Sequence, residues 1–318
     1  MNDLQIPNIG FGTASTVQES YGQAETAVKV AIDLGYRYFD TSKLYFNESE
    51  IGLAIAQKLD ENVIQRDDIL VANKFWCVYD DCATIEKSCR ESLEKLKLNY
   101  FDVYLLHIPS RCVYKGEEIF FPLYSEPKNQ MRDTDYVKAW KSLESLVEIG
   151  LAKSIGVANC TQVQLQRILD EATIMPKIVH IECCPGLHQK KLIKYCNDQN
   201  ILVSAYCPLN RPDFREFAES YNNHSGVLDI CRKYGKTSSQ LILRYLFQMG
   251  TIPVPKSITP SRMGQYIDIF DFELTDAEMD LIDTFYVDER SIDLEQGLNP
   301  HQFPFMRKKI PVSSKCKF

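Results

Sequence analysis

Short apolar runs alternate with longer segments in which apolar residues recur every three or four positions, and the alternation persists along the chain. Compact runs of this kind read as buried strands, and the longer period as helices that bury one face. Strands are predicted at 6–13, 36–40, 69–74, 101–107, 154–159, 178–182, 201–206 and 251–257. Between them, Ala24, Val28, Ala31 and Ile32, or Ile85, Cys89, Leu93 and Leu96, would share one side of a helix. Further helices are predicted from about Glu48 and near 136–149, 161–172, 187–199, 237–249 and 260–268, and an extra one at 275–285 has Thr275 as its cap. Such repeated strand–helix units predict a (β/α)8 barrel, with an open doubly wound sheet as the alternative.

No Gly/Ser-rich or Pro-rich linker and no charge block divides the 318 residues, so the expectation is one domain over 1–318, with 286–318 as a C-terminal loop and tail. The net charge of -7 would repel a polyanion, which argues against nucleic acid as a partner. No apolar run reaches membrane-spanning length, and "MNDLQIPNIG" lacks the basic start and apolar core of a secretion signal. A soluble, cytoplasmic protein without a membrane partner is expected, and a monomer is the default. The 11 cysteines are scattered and lack paired zinc spacing, so buried thiols are expected and no metal. Two nucleotide motifs fail inspection. "GFGTAS" has Ser15 where a third glycine belongs, and "GKTS" at 235–238 has Ile230 where a phosphate loop needs glycine.

With the strands placed, Asp40 ends the second, Lys74 the third and His107 the fourth, and Tyr45 stands in the loop leaving the second. Singly each has a structural explanation: a turn acid, a snorkelling lysine, a hydrogen-bonded histidine, a half-buried phenol. Together they occupy the carboxyl ends of consecutive strands, the rim where barrel catalysts gather. An ammonium beside a phenol stabilises the phenolate, and a carboxylate holds that buried ammonium charged. An imidazole could then donate to a bound carbonyl oxygen, so the four constitute an acid for a developing oxyanion.

This set resembles the aldo-keto reductase family, whose catalytic tetrad is an Asp, Tyr, Lys and His in this order. "GFGTA", "GYRYFDTSKLYFNESEIG", "VANKFW", "DVYLLHIP", "KSIGVAN", "AYCPL" and "VPKSITPSR" are similar to its blocks in their order. "EIFFPL" at 118–123 and "FPF" at 303–305 resemble the long loop after the fourth strand and the C-terminal loop of the aldehyde and aldose reductase branch. The resemblance implies a NADPH-dependent reductase of a small carbonyl substrate, with Asp40, Tyr45, Lys74 and His107 catalytic. It places Thr13, Asp40, Asn159, Tyr206, Cys207 and Leu209 along the cofactor, with Tyr206 stacked on the nicotinamide and Asn159 on its carboxamide. Lys256, Ser257 and Arg262 would take the 2'-phosphate of NADP(H), since two cations and a hydroxyl at a helix start suit a dianion.

The pattern also departs from the family. Ala158 replaces a serine, and Ile181 stands where a glutamine is expected to clamp the carboxamide. Each neutral hydrogen bond contributes about 0.5–1.5 kcal/mol, so losing two would weaken cofactor binding by roughly one to two orders of magnitude. In the substrate pocket Ala14 and Ile108 replace tryptophans, leaving Trp76 and His107 with them as lining residues and an apolar substrate end as the expectation. Two other classes compete: a NADP(H)-binding regulatory or structural protein with little turnover, and a metal-dependent barrel hydrolase.

Overall fold

The computed structural model describes residues 5–14, 22–75, 82–109, 135–210, 215–288 and 290. Strands β1 (Phe11–Gly12), β2 (Tyr38–Asp40), β3 (Leu70–Phe75), β4 (Phe101–Leu106), β5 (Ala152–Ala158), β6 (Ile178–Glu182), β7 (Leu202–Tyr206) and β8 (Ile252–Val254) pair in parallel in sequence order. Backbone N–H groups of Gly10 and Gly12 donate to Pro253 O and Pro255 O, both at 2.9 Å, and so bring the first strand to the last. The result is a nearly closed barrel, and the open-sheet alternative falls.

The helices between the strands are α1 (Gln23–Asp33), α2 (Glu48–Asp60), α3 (Cys82–Leu96), α4 (Tyr136–Glu148), α5 (Gln162–Glu171) and α6 (Lys190–Asp198). They continue as α7 (Arg215–Asn222), α8 (Ser225–Tyr234), α9 (Ser238–Gln248), α10 (Pro260–Ile267) and α11 (Asp276–Asp283). The last is the predicted extra helix, and Thr275 caps it by accepting from Glu278 N while Glu278 reaches back to Thr275 N. Helices α7 and α8 were not expected. They are inserted between β7 and α9, beyond the one helix per strand that the repeated pattern predicts. The "GKTS" stretch is explained by the same junction: Gly235 ends α8 in a left-handed turn and Thr237 caps α9. Helix α6 starts later than predicted because Cys184 and Leu187 bridge in a turn ahead of it.

Alternation along the strands makes two cores. Tyr38, Leu70, Ala72, Val103, Leu105 and Val254 belong to a cluster within the barrel, whereas Phe39, Val71, Tyr104, Val179, Ile181 and Val203 join the larger core between barrel and helices. At Gly156 in β5 a Cβ would come within 2.3 Å of Ile178 O, so only glycine permits that strand approach. The predicted loop after β4 and the tail beyond Arg290 lie outside the described residues. Among those described, no helix is long and apolar enough to cross a membrane.

Candidate active site

Along β2 the inner positions are Tyr38 and Asp40, and along β3 they are Leu70, Ala72 and Lys74, so one period of alternation brings an acid and a lysine to the same end of the barrel. Lys74 Nζ donates to Asp40 Oδ1 at 2.8 Å and Oδ2 at 2.7 Å, and to Thr41 O at 2.9 Å. The two side chains are only 1% and 4% exposed. A charge pair this deep is retained because each ion has its partner and Lys74 has a further acceptor in Thr41 O; removal of either partner would strand the other. Asp40 is therefore a counter-charge and not a helix cap.

Tyr45 arrives by a single 3-10 turn, Lys43–Tyr45, that Ser42 opens by accepting from Leu44 N. The turn sets the Tyr45 hydroxyl 3.4 Å from Lys74 Nζ, with the ammonium 5.1 Å from its ring centroid. His107 follows β4, its backbone N–H donating to Phe75 O at 3.0 Å, and its Nδ1 lies 3.3 Å from Ser42 Oγ. All four predicted catalytic residues thus stand at the carboxyl ends of β2, β3 and β4.

Electrostatics around the four differ in one respect from the sequence expectation. Burial, with the Asp40 charge second, pushes the Tyr45 phenol well above its usual value, where a lowering by Lys74 was expected. Burial also lowers Lys74, although Asp40 opposes this, and holds His107 well below its usual value with Lys74 and His180 adding to the effect. Near neutral pH the site contains one ion pair, a protonated phenol and neutral imidazoles.

On the far side, Asn159 sits in a left-handed conformation at the end of β5. Its amide donates to His107 O at 3.0 Å and accepts from the Tyr206 hydroxyl, so it is tied into the site wall. Cys207 continues β7 in a half-buried left-handed turn that Asn210 N closes onto Cys207 O, and Leu209 lies within that turn against the barrel–helix core. Thr13, 4% exposed, donates to Asp40 O at 2.9 Å.

Two expectations are corrected here. Ile181 does not face the site: it belongs to the barrel–helix core, because the inner positions of β6 are Ile178, His180 and Glu182. The side chain that β6 turns inward beside Tyr206 is His180, whose ring lies 5.0 Å from that of Tyr206. Sequence reasoning named His180 as a substitute for the missing clamp partner but did not place it beside Asp40, although its place two residues after Ile178 was a usable signal. Ile108, 2% exposed, packs into the barrel–helix core and does not stand open as a pocket wall. Ala14 is exposed beside the mouth, and Trp76 lies outside the described residues.

At the opposite end of the mouth, Lys256 and Ser257 follow β8 and Arg262 lies exposed in the first turns of α10. Pro260 occupies the first turn and Thr259 makes no side-chain cap, which leaves that helix start without the usual side-chain acceptor. Burial lowers the Lys256 ammonium. Ser257 Oγ accepts from Thr259 N at 3.0 Å, holding the junction in shape. This donor set fits a phosphate dianion. A separate cavity of about 630 Å³ between α2 and α3, lined by Ser49, Leu53, Glu91, Glu94, Lys95 and Lys97, contains none of these residues. Among the described residues no three His, Cys, Asp or Glu side chains gather as a metal site.

Comparison with known proteins agrees with this geometry. The aldo-keto reductase family 1 member A1-A of Danio rerio is 38% identical over 293 residues, 91% of this chain and 89% of the relative. The structure of an aldo-keto reductase from Bombyx mori in complex with NADP superposes with a TM-score of 0.82 at 30% identity, covering 94% of this chain and 95% of the other. The aldose reductase from Schistosoma japonicum gives a TM-score of 0.85 at 33% identity, over 97% and 98%. The Aldo/keto reductase family model matches residues 8–287, and the chain belongs to that family.

Proposed function

We propose that this chain is a NADPH-dependent reductase that converts a small aldehyde or ketone to its alcohol, with Tyr45 as the proton donor and one catalytic domain spanning the chain. The observation that carries the reading is the buried Asp40–Lys74 pair with the Tyr45 hydroxyl 3.4 Å from Lys74 Nζ. When bound, NADPH supplies the hydride that no side chain can. Lys256, Ser257 and Arg262 would hold its 2'-phosphate, and Tyr206 its nicotinamide face. The Bombyx mori relative, solved with NADP, supports that cofactor.

A phenol whose pKa is raised keeps its proton until the substrate oxygen becomes an alkoxide, a far stronger base, and then loses it beside a fixed ammonium. Lys74 does its work after the transfer, when phenolate and ammonium stand side by side. If Ser42 Oγ donates to His107 Nδ1, the imidazole keeps Nε2–H to donate to the carbonyl oxygen.

The test is Tyr45→Phe. Steady-state NADPH oxidation across a panel of aldehydes should fall by at least about a hundredfold, the usual contribution of a positioned acid, with NADPH affinity nearly unchanged. Ordinary rates in this variant would sink the assignment of the acid. The regulatory reading is separated on the parent protein: tight NADPH binding with no oxidation by any member of the panel would favour it.

A further inference from the structure

A polar chain crosses the barrel interior beneath the tetrad. His180, 2% exposed, presents Nε2 to Asp40 Oδ2 at 3.7 Å, on a carboxylate whose two oxygens also accept from Lys74. Its Nδ1 lies 2.7 Å from Ser204 Oγ on the neighbouring strand, where β6 and β7 pair His180 with Ser204. Ser204 is fully buried near the Tyr38 hydroxyl, and Tyr38 precedes Asp40 by two residues on the same face of β2.

The proton positions follow from the charges. Burial pulls His180 down to about 4, so the ring is neutral and carries one N–H. A carboxylate repels a ring lone pair and attracts an N–H, so the proton sits on Nε2 facing Asp40 and Nδ1 is the acceptor. Ser204 must then donate to Nδ1. It can do so because a hydroxyl has its own proton to donate whatever its oxygen accepts. At 3.7 Å the Nε2–H contact with Asp40 is a charge–dipole interaction longer than a hydrogen bond, strengthened by the dry surroundings.

We infer that His180 is a positioning residue for the reaction: fixed by Ser204 with Nε2–H toward Asp40, it holds the carboxylate that orients Lys74 and, through Lys74, the Tyr45 hydroxyl. This rests on the proton-donor reading of Tyr45. Ser204 makes its hydrogen bond to His180 and not to the tetrad, so the double variant reports whether its effect on the rate passes through His180.

The experiment compares His180→Leu, His180→Gln, Ser204→Ala and the double variant His180→Leu/Ser204→Ala with the parent and with Tyr45→Phe. Two quantities are measured: the NADPH dissociation constant by fluorescence titration, and the single-turnover rate of hydride transfer with saturating aldehyde. Loss of the charge–dipole contact with Asp40, or of the hydrogen bond that fixes it, should slow transfer about tenfold in His180→Leu and in Ser204→Ala, with NADPH affinity within about twofold of the parent. His180→Gln, which keeps an amide N–H, should restore most of the rate, and the double variant should be no slower than His180→Leu. Additive losses in the double variant, or losses confined to NADPH affinity, would overturn the inference. If His180→Leu fails to fold, His180→Gln and Ser204→Ala decide it: parent-like transfer in Ser204→Ala overturns it. If Tyr45→Phe is inactive while these variants transfer hydride normally, only the role of His180 falls. If Tyr45→Phe transfers normally, the underlying reading falls.

Discussion

Asp40 and Lys74 show how one contact carries both stability and chemistry. Their charges are 4% and 1% exposed, and neither is tolerable there without the other. Lys74→Met should therefore destabilise the fold by about 3–5 kcal/mol in chemical denaturation, besides removing turnover, because Asp40 is left as a lone buried charge. A result under about 1 kcal/mol would mean that water reaches the carboxylate. The two site histidines make a second prediction. Unfolded, each takes up a proton near pH 6.5. Folded, His180 does so at about 4, and His107 well below its usual value. The unfolded state thus binds more protons in this window, so their contribution to stability is complete above about pH 6.5 and is lost as the pH falls toward about 4. Melting temperatures recorded across that range should fall with acidity, and less steeply in His180→Gln; identical slopes would place the titration elsewhere.

At the scale of elements, the site depends on strand ends and helix starts acting in pairs. Glu50, from the first turn of α2, accepts from Gly22 N and Ala24 N and so caps α1 from a neighbouring unit. The start of α10 has no comparable side-chain cap, and there the cations of Lys256 and Arg262 stand near the chain turn after β8. If that helix start takes the 2'-phosphate, Arg262→Ala should weaken NADPH binding roughly tenfold or more while leaving NADH nearly unaffected, since only the first carries the extra dianion. Equal losses for both cofactors would move the phosphate elsewhere. These units were largely legible in the sequence. Thr275 announced α11 because a helix cap is local, and the β6 run "IVHIE" was plain because five residues suffice to declare a buried strand. Helices α7 and α8 were not legible, since they are inserted between β7 and α9 and exceed the one helix per strand that the pattern predicts.

For the whole molecule, a barrel brings to one rim residues that are far apart in sequence. Thr13, Asp40, Lys74, His107, Asn159 and Tyr206 come from six strand ends or the residues just beyond them. A cofactor laid across that rim would clamp several units at once, so saturating NADPH at about a hundred times its dissociation constant should add about 2.7 kcal/mol and raise the melting temperature by several degrees without substrate. No shift would count against cofactor binding in this form.

The sequence by itself determined the eight strands and most of the helices, the resemblance to the family and the placing of Asp40, Tyr45, Lys74 and His107 at neighbouring strand ends, because alternating hydrophobicity and chain-local motifs encode which residues end which strand. Only the tertiary structure decided which side of each strand end faces inward. It turned Ile181 to the helices and His180 to Asp40, buried Ile108, and raised Tyr45 where the notion of a nearby ammonium suggested the reverse. The physical reason is common to all four: burial and the packing of neighbouring strands are properties of the closed barrel, and a stretch of chain does not carry them alone.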